Sequence, residues 1–106
     1  MRVLFDQGTP PPLRYALVGH SVQTAFELGW STLQNGAVIA AAEAEGFEVF
    51  LTTDKNLKYQ QNLSGRRLAI VVLSTTSWPR IRAGAAKVLE AVESACPGSL
   101  IEVVME

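Results

Sequence analysis

Val49-Phe50-Leu51-Thr52-Thr53 runs without interruption into Asp54-Lys55-Asn56. An apolar strand that stops on an acid and a turn carries two pieces of information. A near-continuous apolar run suits a parallel strand covered on both faces. In such sheets ligands bind outside the carboxyl ends of the strands, near the point where strand order reverses. The chain opens in the same way, with Val3-Leu4-Phe5 running into Asp6-Gln7-Gly8.

Working outward from these two stretches, strands alternate with helices. Residues 2–6 read as strand 1. Thr9 can cap a helix whose first turn is Pro10-Pro11-Pro12, where missing N–H groups cost nothing, and which should end near Gly19. Residues 20–25 form a short second strand. Asn35 is an N-cap for a helix from Gly36 to about Glu45, closed by Gly46, with a mostly alanine apolar side that should pack close to the sheet. Strand 3 covers residues 48–53. Leu68-Ala69-Ile70-Val71-Val72-Leu73 is the strongest strand and should be central or nearly so. After Pro79, the residues Ile81, Ala85, Val88, Leu89 and Val92 recur at helical spacing and predict one long helix. Pro97-Gly98 turns the chain into a last strand at about 100–104. The expected fold is α/β: a single three-layer domain over residues 1–106, with a mostly parallel five-stranded sheet of order about 2-1-3-4-5 and helices on both faces. That order makes strands 1 and 3 neighbours and sets Asp6 beside Asp54.

At 106 residues, with 48% hydrophobic residues, the chain can pack one core and not two. Mean hydropathy is +0.19. No apolar run approaches the roughly 18 to 20 residues of a membrane span, and no secretory leader pattern precedes strand 1. A single cysteine, Cys96, excludes a disulfide framework and a cysteine-rich zinc site. These features predict a cytoplasmic protein with no membrane partner. Net charge is only −1, but it is unevenly spread. Residues 1–54 carry six acids against two bases, and residues 55–87 carry seven bases and no acid. Such a division fits a metal site beside a polyanion track, and an ordinary solvated face would give the same count.

Two carboxylates brought close repel one another unless a cation or a shared proton lies between them. Mg2+ or Mn2+ suits such a site, since both take oxygen ligands and keep several waters. A strand-end aspartate can also serve only as a turn or cap.

Several of these residues resemble the short PIN-like proteins of bacteria. The likeness rests on Asp6 after strand 1, Gly19-His20-Ser21-Val22, Glu27-Leu28-Gly29-Trp30 and Leu51-Thr52-Thr53-Asp54-Lys55-Asn56-Leu57, and covers roughly residues 2 to 73. Its most specific part is the Thr-x-Asp-Lys-x-Leu step. The resemblance implies an α/β ribonuclease that cleaves RNA with Mg2+ or Mn2+ held by clustered acids, often as the toxin half of a toxin–antitoxin pair with a small antitoxin protein as partner. Carried over by position, Asp6 is the first metal ligand and Asp54 a second. The chain departs from the pattern where PIN-like proteins place an acid at the start of the helix before strand 3, a place held here by Asn35. A residue that is often acidic after Asp54-Lys55 is Asn56. Glu43, two helical turns beyond Asn35, and Glu27, after strand 2, are the candidates for the missing carboxylate. A two-acid site should bind metal weakly.

For RNA, Lys55, Asn56, Lys58, Tyr59, Arg66 and Arg67 follow Asp54 and supply phosphate donors and one aromatic face. Tyr59 packed on the core is the competing reading. His20, at the start of strand 2, is expected to be structural. Trp30 and Trp78 read as core or interface residues, and Cys96 has no visible catalytic partner. The main alternative to a nuclease is a catalytically impaired PIN-like domain that binds RNA or a protein partner, which Asn35 and Asn56 favour. A phospho-receiver reading, with Asp54 at the end of strand 3 and Thr75-Thr76 after strand 4, ranks behind both. An apolar face on the C-terminal helix would suit a homodimer.

Overall fold

The computed structural model describes residues 1–55 and 66–105, and for Asn35 the backbone alone. Five strands form one sheet: β1 (Arg2–Phe5), β2 (Ser21–Thr24), β3 (Val49–Thr52), β4 (Ala69–Leu73) and β5 (Leu100–Val103). Their order is β2-β1-β3-β4-β5, and every pairing is parallel. Strand order reverses at β1, so the carboxyl ends of β1 and β3 flank the switch point where open α/β sheets bind ligands.

Register divides the apolar residues between two faces. Val3 pairs with Val49, and Val49 with Ala69. Side chains alternate along a strand, so Val3, Phe5, Val49, Leu51, Val71 and Leu73 share one face and pack with Leu13, Leu17, Ile81, Val88 and Val92. Leu4, Phe50, Ile70 and Val72 point to the other face and meet Val38, Ile39, Ala42 and Phe47. All residues of β3 and β4 are buried, which is why both strands read as unbroken apolar runs. Full burial of each large side chain is worth about 1.5–3 kcal/mol, so the sheet centre holds much of the stability.

Helix α1 (Asn35–Ala44) lies on the second face. Its N-cap is Gln34 and Asn35 is its first helical residue, one position away from the expected cap. It ends as expected on Gly46, which takes φ +83°. The Phe47 amide returns to the Ala42 carbonyl at 3.0 Å and the Gly46 amide to that of Glu43 at 3.1 Å. This pair of bonds defines a Schellman close.

Two other helices depart from expectation. The segment after β1 is a 3-10 helix, η1 (Pro11–Ala16), and not an α-helix reaching Gly19. Each of Pro10 and Pro11 precedes a proline, which disfavours α geometry at that residue. The chain uses the tighter bonds from Leu13 to Pro10 and from Leu17 to Arg14 instead. Thr9 does not cap it, because its hydroxyl donates to the Leu51 carbonyl. The C-terminal helix is two helices, α2 (Trp78–Ala83) and α3 (Ala85–Ser94), divided at Gly84. A Cβ on Gly84 would lie 2.6 Å from the Met105 sulfur, so the break lets Met105 pack into the bend. The apolar stripe of these helices, with Ile81, Val88 and Val92 at 0% exposure, is buried against the sheet. The stripe that would have offered a dimer face is inside the domain.

Candidate functional site

Phe5 pairs with Leu51, so Asp6 and Thr52 come level at the carboxyl ends of β1 and β3. The Asp6 amide donates to the Leu51 carbonyl at 2.9 Å, which continues the ladder one residue past β1. Thr52 is fully buried. Its hydroxyl donates to Asp6 Oδ2 at 2.8 Å and accepts from the Asp54 amide at 3.1 Å. One hydroxyl therefore orients a side chain on β1 and the backbone of the acid that follows β3. The Gln7 amide donates to Asp6 Oδ1 at 2.9 Å. Each Asp6 oxygen thus has one of these protein donors and a further lone pair for a ligand.

The loop after β1 is tied to β3 as well. The Thr9 amide donates to the Asp6 carbonyl at 3.0 Å, and the Thr9 hydroxyl holds the Leu51 carbonyl at 3.0 Å. Gly8 permits this approach, since a Cβ there would come 2.6 Å from Thr53 Oγ1. Lys55, directly after Asp54, is exposed at the same edge. Helix α2 follows the carboxyl end of β4 and carries Arg80 and Arg82, both exposed.

On the β2 side of Asp6 lies a cleft of about 490 Å³. Its walls include Asp6, Gln7, Arg14, Tyr15, Phe26 and Glu27. Thr24 and Glu27 form a capping box: the Thr24 amide donates to Glu27 Oε1 at 2.8 Å and the Glu27 amide to Thr24 Oγ1 at 3.1 Å. Arg14 closes on the same carboxylate with two nitrogens, at 2.6 and 3.3 Å. The Arg14 hydrogen bonds, aided by the Thr24 amide, hold the Glu27 carboxyl down at about 2, and they raise Arg14 in turn. Arg14 Nε is buried and meets no acceptor among the described residues. Tyr15 and Phe26 are 80% and 78% exposed.

Of the two candidates for a third carboxylate, the fold brings Glu27 to the Asp6 edge and carries Glu43 to the other. Glu43 accepts from the amides of Arg67 at 3.1 Å and Leu68 at 3.4 Å, where the chain enters β4. It also pairs with Arg66 at 3.7 Å. Glu43, Arg66 and Arg67 therefore lie together at the amino edge, away from Asp6. Asn35 opens α1, and Asn56, Lys58 and Tyr59 lie outside the described residues. His20 Nε2 sits 3.4 Å from Glu93 Oε2 on α3. Trp30 meets Phe47 edge-on at 6.3 Å, and Trp78 packs against the core.

Among the described residues no group of three or more Asp, Glu, His or Cys gathers. The chemistry of Asp6 and Asp54 still fits Mg2+ or Mn2+, which proteins often bind through one or two carboxylates with substrate phosphate completing the shell. Three features escaped the sequence reading: the Thr52 hydroxyl as connector, the Arg14–Glu27 pair, and the aromatic cleft. The signals were present in the Thr-x-Asp spacing and in Thr24-x-x-Glu27 as a capping box.

No family model, curated protein or solved structure matches this chain. A functional reading therefore rests on the residues and their geometry.

Proposed function

We propose that this chain is a PIN-like, metal-dependent ribonuclease of the toxin type, acting at the carboxyl edge through Asp6 and Asp54. The observation that carries it is the Thr52 hydroxyl, which binds Asp6 and the Asp54 amide together at the switch point of the sheet. Asp6 and Asp54 would hold Mg2+ or Mn2+. Such an ion activates water and stabilises charge developing on a phosphodiester. Thr52 and the Gln7 amide keep the Asp6 carboxylate oriented, and Lys55 supplies a cation for a neighbouring phosphate. A small antitoxin protein is the partner that this reading calls for.

One observation favours a second reading, a PIN-like domain that binds RNA or a protein partner without cutting. Glu27, the further acid at this edge, is tied to Arg14. The test is Mg2+- and Mn2+-dependent cleavage of a labelled single-stranded RNA by the wild type and by the Asp6→Asn/Asp54→Asn double variant. Cleavage by the wild type alone supports the nuclease. Equal cleavage by both refutes the site, and no cleavage with either ion leaves the binding module as the better account.

A further inference from the structure

The cleft beside Asp6 combines features that the cleavage chemistry does not use. Tyr15 and Phe26 both line it and are largely exposed, so neither ring is taken up by the core. The same cleft carries Glu27, an acceptor held in place by several contacts. Its backbone is held by the Thr24 hydroxyl, and its carboxylate by the Thr24 amide and two Arg14 nitrogens. These contacts keep it ionised, yet the side chain remains 46% exposed. An anion so placed cannot turn away and cannot take up a proton near neutral pH, and Oε2, which among the described residues accepts only from one Arg14 nitrogen, has one lone pair left to accept from a ligand.

Flat apolar rings beside a fixed carboxylate match a planar ligand with N–H groups along one edge. Unpaired nucleobases have that form: their faces stack on aromatic side chains and their edges hydrogen-bond. Adenine and cytosine each present an exocyclic amino group whose N–H donates to a carboxylate, whereas uracil presents a carbonyl at the corresponding position and keeps only its ring N–H as a donor. At about 490 Å³ the cleft is large enough to admit a nucleoside. Asp6 lies on its wall, so a base seated there sits next to the backbone that reaches the Asp6–Asp54 edge.

Resting on the RNA reading above, we infer that the cleft formed by Tyr15, Phe26 and Glu27 is a nucleobase pocket that selects an unpaired, amino-bearing base next to the phosphodiester held at Asp6. Glu27 reads the base and the two rings supply stacking. Arg14 is a positioning residue that acts through Glu27.

The experiment compares equilibrium binding of fluorescein-labelled oligo(A), oligo(C) and oligo(U) of equal length at fixed ionic strength. The wild type should bind oligo(A) and oligo(C) about tenfold more tightly than oligo(U). Tyr15→Ala and Phe26→Ala, both at exposed positions that should not disturb folding, should each weaken oligo(A) binding by about fivefold or more. Glu27→Gln keeps an oxygen for the capping box and adds an N–H donor, so it should erase or reverse the preference against oligo(U). Equal wild-type affinity for all three oligonucleotides, or oligo(A) binding unchanged in both ring variants, overturns the pocket and leaves the RNA reading standing. No binding of any of them overturns the RNA reading and the pocket with it.

Discussion

The two edges of the sheet use their charges differently. At the amino edge each of the charged groups with described partners serves the fold. Glu43 closes the entry to β4 through two amides and Arg66. Glu48 accepts from the Arg2 amide at 3.1 Å, and Arg2 bonds the Glu45 carbonyl and lies 4.4 Å above the Phe47 ring. At the carboxyl edge a buried hydroxyl and a backbone amide orient Asp6, which lines a cleft and keeps lone pairs for a ligand. The same residue types are structural where backbone ends absorb them, and available to a ligand where a neutral hydroxyl does the positioning. Charge counts along the chain could not distinguish these cases. The basic residues Arg66 and Arg67 looked like a track beside the acids, and one is paired to an acid at the far edge.

If that contrast is right, substitutions at the two edges should separate into activity effects and stability effects. The largest effect is expected at the acids of the carboxyl edge: Asp6→Asn or Asp54→Asn should lower metal-dependent RNA cleavage by about a hundredfold or more and move the thermal midpoint little. Retained cleavage in either variant would break the comparison. Thr52→Val should show both effects, because it leaves a carboxylate oxygen and an amide without their shared partner. We expect a loss of about 1–3 kcal/mol in urea unfolding, together with weaker cleavage. At the amino edge Glu43→Ala should cost about 1–2 kcal/mol in the same unfolding assay and leave cleavage at the wild-type rate. A loss of cleavage there would return Glu43 to the site.

The smallest effect concerns pH. The Glu27 carboxyl is depressed from its ordinary 4.5 to about 2 by Arg14 and the Thr24 amide. A depressed acid contributes stability that is fully present above 4.5 and is lost as pH falls through about 2. Unfolding midpoints recorded from pH 5 to 2 should therefore fall less steeply in Glu27→Gln than in the wild type. Identical slopes would show that the pair is not formed in solution.

The fold was legible because burial on both faces writes itself as unbroken apolar runs. Val3-Leu4-Phe5, Val49-Phe50-Leu51 and Ala69-Ile70-Val71-Val72-Leu73 are all such runs, and all are core strands. Asp6 and Asp54 could be placed because each ends one of them. What could not be read depended on direction and on partners. Helix α1 carries Glu43 eight positions past Asn35, about 12 Å along the axis at 1.5 Å per residue, and that distance takes it to the other edge of the sheet. The split at Gly84 depends on where Met105 returns, which is a tertiary fact. The 3-10 form of η1 could have been anticipated from the restriction each proline places on its predecessor. The cleft was missed because Tyr15, on η1, and Phe26, in the turn after β2, line it from segments that are separate in the chain.

The central claim is that ligand chemistry lives at the carboxyl edge. Amide chemical-shift mapping of the isotopically labelled protein with a short single-stranded RNA tests it most directly. The account predicts perturbed amides at Gln7, Thr24 to Glu27, Asp54 and Lys55, with Glu48, Arg67 and Leu68 unmoved. Perturbations gathered at Glu48, Arg67 and Leu68, with the carboxyl edge silent, would contradict it.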